Sequence, residues 1–219
     1  MGSDGFLHKY FLNNSGKLLH KWMHHFDIYE RHLERFRNSA PVMLEIGVSG
    51  GGSLAMWKDY LGLEAKILGI DIDPACKEHE AENIEVFIGS QDDQVLIGQV
   101  LEKYPRLDVV LDDGSHQTSH MIRSFELLYD HLAPHGVYIV EDTHTCYWPK
   151  YEGGGLKHPG SFMEFVKDRL DDINAAHSRD ALPVSSFTRN TDAICCYDSV
   201  VVFERRPQGA RQAPMTRAM

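Results

Sequence analysis

The chain has fewer positively charged than negatively charged residues. Its 219 residues include 22 lysines and arginines against 32 aspartates and glutamates, which gives a formal net charge of −10. Binding to a duplex requires a basic face that neutralises phosphates. We therefore expect no nucleic-acid partner.

Long apolar runs are also missing. No run approaches the roughly 18 apolar residues that suggest a membrane span. The first residues, MGSDGF, have neither the basic region nor the apolar stretch of a signal peptide. We expect a cytoplasmic protein without a membrane partner.

Cysteine is scarce and irregularly spaced. The four cysteines are Cys76, Cys146, Cys195 and Cys196, and no two of them form a CxxC pair. Free thiols are the usual state of cysteine in a cytoplasmic chain. The spacing therefore predicts neither a disulfide framework nor a structural zinc site.

What the chain does contain is a regular alternation of strands and helices. Apolar residues at helical spacing predict an amphipathic helix over 15–38. Five strand–helix units follow, and a turn at 190–192 joins two final strands as an antiparallel hairpin. The predicted strands are 41–47, 65–71, 84–88, 107–112, 137–141, 184–189 and 193–204.

This alternation predicts an α/β fold with a central seven-stranded, mostly parallel sheet and a terminal antiparallel hairpin. We expect one domain over 41–204, preceded by an N-terminal helical segment (1–40) and followed by a flexible tail (205–219).

A glycine-rich loop, EIGVSGGGS over 45–53, lies between the first strand and a predicted helix. Glycines let the backbone turn sharply and approach a ligand closely, and the start of the helix adds N–H donors. Asp71 ends the next strand, where a carboxylate can accept hydrogen bonds from ribose hydroxyls. The segment predicts a nucleotide-type cofactor.

Two cofactors fit this loop. Gly50, Gly52 and Ala55 match the dinucleotide fingerprint GxGxxA, whereas Glu45, Gly47 and Gly51 match the loop of methyltransferases that use S-adenosylmethionine (SAM). The rest of the chain favours SAM, because the dinucleotide fold keeps a sixth parallel strand where this chain has a hairpin. The sequence therefore predicts a class I SAM-methyltransferase, Rossmann-like fold.

The fourth and fifth predicted strands both end in polar residues. Asp113 follows the fourth strand with His116 close behind it, and Glu141 and Asp142 end the fifth. The carboxyl ends of neighbouring parallel strands lie at one edge of the sheet, where ligands bind. Three carboxylates suit a divalent cation that prefers oxygen ligands, and a histidine beside them suits a base.

Five segments together resemble the metal-dependent sugar O-methyltransferases of natural-product pathways, such as the mycinose and macrolide-glycoside methyltransferases. Cephalosporin hydroxylase-type proteins share the pattern. The segments lie within roughly residues 17 to 148, and they are KWMHHFDIYE (21–30), LEIGV (44–48), GIDI (69–72), LDDGSH (111–116) and VEDT (140–143).

The resemblance implies that Asp113, Glu141 and Asp142 bind Mg²⁺ and that His116 is the general base. It implies methyl transfer from SAM to a hydroxyl of a small saccharide or glycoside. An N-methyltransferase acting on an amino sugar and a cephalosporin hydroxylase-type enzyme are the alternatives. The residues that the resemblance assigns to SAM are Glu45, Gly47, Gly51, Asp71, Ser90 and Gln91.

The remaining aromatic residues allow more than one interpretation. Residues 143–160 form a long connection that is typical of an active-site lid. Tyr147 and Trp148 in it are candidates either for stacking on a sugar ring or for packing within the lid. Trp22, at helical spacing from Phe26, is expected in the core. The N-terminal helix offers an interface for a homo-oligomer.

Overall fold

The predicted strand–helix units form one sheet with helices on both faces. The computed structural model describes residues 5–216. In chain order the elements are α1 (Phe6–Leu12), α2 (His25–Leu33), β1 (Val42–Ile46), α3 (Gly52–Leu61), β2 (Lys66–Asp71), β3 (Ile84–Ile88), α4 (Gln94–Lys103), β4 (Leu107–Asp112), α5 (Thr118–Leu128), β5 (Leu132–Val140), α6 (Phe162–Ile173), α7 (Ser186–Asn190), β6 (Thr191–Tyr197) and β7 (Val200–Arg205).

The sheet has the order β3-β2-β1-β4-β5-β7-β6. Strands β1 to β5 pair in parallel, and β7 inserts antiparallel between β5 and β6. This confirms the predicted seven-stranded, mostly parallel sheet with its terminal hairpin. The strand order reverses between β1 and β4, and ligands bind at the carboxyl edge of such a switch point.

The central strands are buried on both faces, as a parallel sheet covered by helices requires. Val109, Val110, Leu111 and Ile139 have no exposed surface. One face packs against the α2 and α3 side chains, and the other packs against α4, α5 and α6. Among the described residues, no helix is both long and apolar enough to cross a membrane.

The helix predicted over 15–38 is wrong over 15–24, the first ten of its 24 residues. Helix α2 begins only at His25, and residues 13–24 form an irregular segment, here called the strap. The carbonyl of Leu18 accepts a hydrogen bond from the N–H of Gly52 (3.0 Å), which is distant in the sequence. Trp22 is 53% exposed, so its expected place in the core is also wrong, whereas Phe26 is buried.

The terminal hairpin is present but displaced along the sequence. The predicted strand 184–189 is largely helix α7, where the Ser185 hydroxyl accepts a hydrogen bond from the N–H of Thr188 in a capping box. The turn between the last two strands lies at Asp198 and Ser199, and Ser199 adopts a left-handed backbone with φ of 64°. The predicted long strand 193–204 is therefore two strands.

Smaller differences concern caps and ends. Asp93 caps α4, and its carboxylate accepts from the Val95 N–H (2.8 Å). Strand β7 ends at Arg205, and Arg211 donates to the Thr188 carbonyl (3.3 Å) within the predicted tail. The boundaries at 40 and 204 stay predictions, and residues 1–4 and 217–219 of the outer segments lie outside the described residues.

One ion-pair cluster attaches the N-terminal segment to the hairpin, and it generates a pH-dependent prediction. Glu204 on β7 lies 2.5 Å from Nδ1 of His32 and 2.5 Å from a guanidinium nitrogen of Arg35. Although burial raises the pKa of Glu204, the hydrogen bonds from His32 and Arg35 bring it below its ordinary value. The ionised carboxylate therefore stabilises the fold above the unfolded pKa of about 4.3.

Glu204→Gln should lower the free energy of unfolding by on the order of 1 kcal/mol near neutral pH. The difference from wild type should shrink as the pH falls through the lowered pKa, because the carboxylate becomes protonated. Urea unfolding at a series of pH values measures this. Glu126→Gln, which removes an exposed ion pair with Arg123, is the control. A difference that is unchanged between acid and neutral pH would contradict the assignment.

Candidate active site

A cavity of about 540 Å³ lies at the carboxyl ends of the central parallel strands. Its walls come from the glycine loop, the ends of β2, β4 and β5, the strap, and the segment that follows β5. The predicted site residues that line it are Gly47, Asp71, Ser90, Gln91, Asp113, His116, Glu141 and Asp142. Glu45 and Gly51 are not among the lining residues, so their contacts decide what they do.

Glycines at two positions shape the loop. Gly47 has φ of +94°, and a Cβ there would lie 2.1 Å from the carbonyl oxygen of Asp113. Gly51 has φ of +71° immediately before α3, and its Cβ would overlap the His79 ring. A side chain at position 47 would therefore push the loop away from the end of β4, and one at position 51 would push it away from His79. The result is a bare backbone that leads into α3 and lets a ligand approach closely, while the N–H of Gly52, the first residue of α3, donates to the Leu18 carbonyl of the strap.

Glu45 is buried beneath the glycine loop, where it contacts α3. It is fully buried, and its carboxylate accepts hydrogen bonds from the Ser53 hydroxyl (2.7 Å) and the Trp57 indole N–H (3.0 Å). Burial raises the pKa of Glu45 despite these donors. These contacts hold α3 against β1, and Glu45 itself is not among the residues that line the cavity.

Asp71 ties the same loop to β2. One carboxylate oxygen accepts from the backbone N–H groups of Val48 and Ser49, both at 2.9 Å. Backbone hydrogen bonds outweigh the effect of burial and lower the pKa of Asp71. An ionised carboxylate therefore lines the cavity beside the glycine loop, as the sequence predicts.

Both polar groups of the Gln91 side chain are hydrogen-bonded within the protein. Its amide nitrogen donates to both carboxylate oxygens of Asp112 (3.0 Å each), and its amide oxygen accepts from the Ser115 N–H (2.8 Å). Burial raises the pKa of Asp112 to about 6. Neither Gln91 nor Asp112 has a side chain free for a ligand, whereas Ser90 lines the cavity with its hydroxyl bonded to Asp92.

Asp113, His116 and Asp142 form a compact cluster whose candidate ligand atoms all lie within 4.8 Å of one another. Nε2 of His116 is 3.6 Å from Oδ2 of Asp142 and 3.9 Å from Oδ1 of Asp113. Burial lowers the pKa of His116. His116 and Asp142 both have left-handed backbones, with φ of 57° and 52°. Strain of this kind concentrates at functional sites.

The cluster fits a divalent cation. Oδ1 of Asp142 is buried and has no hydrogen-bond partner among the described residues. A buried carboxylate oxygen is costly unless something satisfies it, and carboxylates are the ligands that Mg²⁺ prefers. The carboxylates of Asp113 and Asp142 therefore suit such an ion, and the imidazole of His116 lies beside them.

Lys21 is the functional residue that sequence reasoning missed. Its Nζ lies 2.6 Å from Oδ2 of Asp113, 3.0 Å from Oε1 of Glu141 and 3.6 Å from Oε1 of Glu45. The lysine side chain is only 3% exposed. Although burial opposes the charged form, these three carboxylates raise the pKa of Lys21 well above its ordinary value. Within the resembling segment 21–30, nothing in the local pattern distinguishes this lysine from an exposed one.

Glu141 has two neighbours that the sequence did not predict. One oxygen pairs with Lys21, and the other lies 3.3 Å from Nδ1 of His25. Despite its burial, Lys21 and His25 lower the pKa of Glu141 to about 2. The structure places Glu141 beside the cluster of Asp113, His116 and Asp142. A metal-binding role for Glu141 stays a prediction.

Known proteins share this domain. Residues 44–143 match the family described as a methyltransferase domain. Over 157 residues it is 38% identical to demethylmacrocin O-methyltransferase of Streptomyces fradiae, a match that covers 66% of this chain and 38% of that protein. Over 187 residues it is 30% identical to 8-demethyl-8-alpha-L-rhamnosyl tetracenomycin-C 2'-O-methyltransferase of Streptomyces olivaceus, covering 81% and 49%.

The fold comparison agrees. The MycE methyltransferase of the mycinamycin pathway, crystallised with Mg, SAH (S-adenosylhomocysteine) and mycinamycin VI, superposes with a TM-score of 0.78 at 30% identity. The match covers 95% of this chain and 54% of that one. The chain spans less than half the length of the two curated relatives above. The predicted resemblance to sugar O-methyltransferases of macrolide and related pathways is confirmed.

The buried position of Lys21 leads to a stability prediction. Lys21→Met should lower the free energy of unfolding by about 3–5 kcal/mol, because it leaves buried carboxylates without their counter-charge. Adding Glu141→Gln should recover part of the loss by removing one of those charges. Urea unfolding of the single and double variants measures both effects.

Lys17→Met is the matched control, since Lys17 lies on the same strap and is exposed. If Lys21→Met were as stable as Lys17→Met, the lysine would not hold the carboxylates together.

Proposed function

We propose that this chain transfers the methyl group of SAM to a hydroxyl of a small saccharide or glycoside, with Mg²⁺ as the metal cofactor and His116 as the base. One observation carries the proposal. A single cavity of about 540 Å³ joins the glycine loop and Asp71 to the cluster of Asp113, His116 and Asp142. Cofactor binding and acid–base chemistry therefore have a shared space.

The cofactor half of the cavity supports SAM. Gly47, Asp71 and Ser90 would contact it directly, since they line the cavity. Asp71 is placed to accept hydrogen bonds from ribose hydroxyls. Glu45 and Gly51, which do not line the cavity, would act indirectly by shaping the loop. Gln91 lines the cavity, but its amide groups are bonded to Asp112 and Ser115, so it would shape the strand ends. The MycE structures contain SAH, the product that SAM leaves after methyl transfer.

The acidic half of the cavity supports a magnesium site. Asp113, Glu141 and Asp142 would hold Mg²⁺, and Oδ1 of Asp142 is buried with no hydrogen-bond partner in the part of the chain that the structure describes. The bound ion would lower the pKa of a sugar hydroxyl and orient it. The MycE structures also contain Mg. Lys21, which also lines the cavity, donates hydrogen bonds to Asp113 and Glu141 and so holds them in place.

The chemical step is an in-line displacement. The acceptor oxygen forms a bond to the methyl carbon, and the sulfur–carbon bond breaks with its electron pair going to sulfur. The hydroxyl proton goes to Nε2 of His116. The charge of Asp142, whose Oδ2 lies 3.6 Å from that nitrogen, favours the protonated ring. The enzyme's main contribution is alignment of oxygen, carbon and sulfur.

Other parts of the proposal concern the environment of the protein. The net charge of −10 supports the absence of a nucleic-acid partner. A cytoplasmic location and a homo-oligomeric state stay predictions.

The activity test uses the protein with SAM and a panel of mono- and disaccharides and simple glycosides, with added Mg²⁺ or with EDTA. Mass spectrometry should show the gain of one methyl group on an acceptor, and EDTA should abolish it. Failure with every acceptor would contradict the proposed function. Product that forms equally with EDTA would remove the metal from it.

His116→Ala should reduce the methyl-transfer rate by on the order of 10²–10⁴-fold and leave the fold intact, because a positioned base contributes about that much. The Mg²⁺ concentration that gives half-maximal rate should not change if His116 is a base. An increase in that concentration with restoration of the rate at high Mg²⁺ would instead make His116 a metal ligand. His135→Ala, an exposed residue on β5, is the control.

A further inference from the structure

Two of the three tryptophans in the chain are exposed at the same cavity. Trp57 is fully buried, whereas Trp22 is 53% and Trp148 is 49% exposed. Both exposed indoles line the cavity that holds the candidate active site. Large aromatic side chains dominate core and interface energetics, and exposed apolar patches mark ligand or partner sites. We therefore ask which ligand would cover these two exposed rings.

The rings belong to a continuous wall that ends at the proposed base. The Trp22 ring centroid lies 6.2 Å from that of His144, which lies 4.7 Å from Trp148. Trp148 is 6.1 Å from Tyr151, and Tyr151 is 6.1 Å from His116. We call Trp22, His144, Trp148 and Tyr151 the aromatic wall.

Anchored neighbours hold the wall in position. Trp22 directly follows Lys21, whose ammonium group is fixed by Asp113 and Glu141. His144 is hydrogen-bonded to the Ser199 hydroxyl on the terminal hairpin. The wall is thus assembled from two segments that are far apart in the sequence, and each is tied to the sheet.

The cavity combines two kinds of surface. The aromatic wall offers flat apolar faces, and the adjoining carboxylates of Asp113 and Asp142 offer hydrogen-bond acceptors. A pyranose ring has matching parts, because its C–H groups form an apolar face and its hydroxyl groups lie around the edge. A purely apolar ligand would place no polar group against these carboxylates, which line the same cavity.

We propose that the aromatic wall is the acceptor subsite, and that it binds the C–H face of a pyranoside ring with a ring hydroxyl directed towards His116. This inference rests on the proposed function and names the residues that select its substrate class. Tyr147 is excluded from the subsite, because it does not line the cavity although it is 46% exposed.

The test measures sugar contact without requiring catalysis. Saturation-transfer NMR is recorded on methyl α-L-rhamnopyranoside with the protein, Mg²⁺ and SAH. In the wild type the ring C–H protons should receive the strongest transfer. Trp148→Ala and Trp22→Ala should each weaken binding by about tenfold, and the phenylalanine variants should retain part of it.

Tyr147→Ala is the matched control, and it should bind as the wild type does. SAH affinity by calorimetry and the unfolding temperature should be unchanged in the tryptophan variants. No transfer to any pyranoside in a panel, or equal transfer in Trp148→Ala and wild type, would overturn the subsite. A change in oligomeric state without a change in sugar contact would make the wall a protein interface and would also overturn it. Sugar contact without methyl transfer would refute the proposed function and leave the subsite standing.

Discussion

The site depends on the ion pairs between the buried Lys21 ammonium group and three carboxylates. Glu45, Asp113 and Glu141 come from the ends of three different strands, β1, β4 and β5. Their negative charges could not be buried together without a counter-charge. The same lysine fixes the strap, which places Leu18 over the glycine loop and Trp22 at the cavity mouth. One ion-pair network therefore links the cofactor loop, the acidic cluster and the aromatic wall.

The position of this network follows from the topology of the sheet. Strand β1 lies between β2 and β4, and β5 follows β4, so the ends of these parallel strands meet at one edge. The glycine loop leaves β1 at that edge, and Asp113 leaves β4 beside it. Gly47 is required there because any Cβ would overlap the Asp113 backbone. The fold thus brings the glycine loop and the acidic cluster to one cavity.

Local patterns were enough to predict most of the sheet. The buried strands and the glycine loop have short-range signals, and so do Asp113, His116 and Asp142 at strand ends. The errors arose where contacts distant in sequence decide the structure. Leu18 bonds to Gly52, and Lys21 pairs with Glu141, 120 residues away. Helical spacing in 15–24 was therefore misleading, and Trp22 was wrongly assigned to the core. The hairpin shifted for a local reason, because the Ser185 capping box favours a helix.

The central claim is that a SAM methyl group and a divalent cation occupy the same cavity. Paramagnetic relaxation of SAM labelled with ¹³C at the methyl group, measured with Mn²⁺ in place of Mg²⁺, tests it directly. The account predicts strong relaxation of the methyl signal in the wild type and its loss in Asp142→Asn. Weak relaxation while both the cofactor and Mn²⁺ are shown to be bound would contradict it.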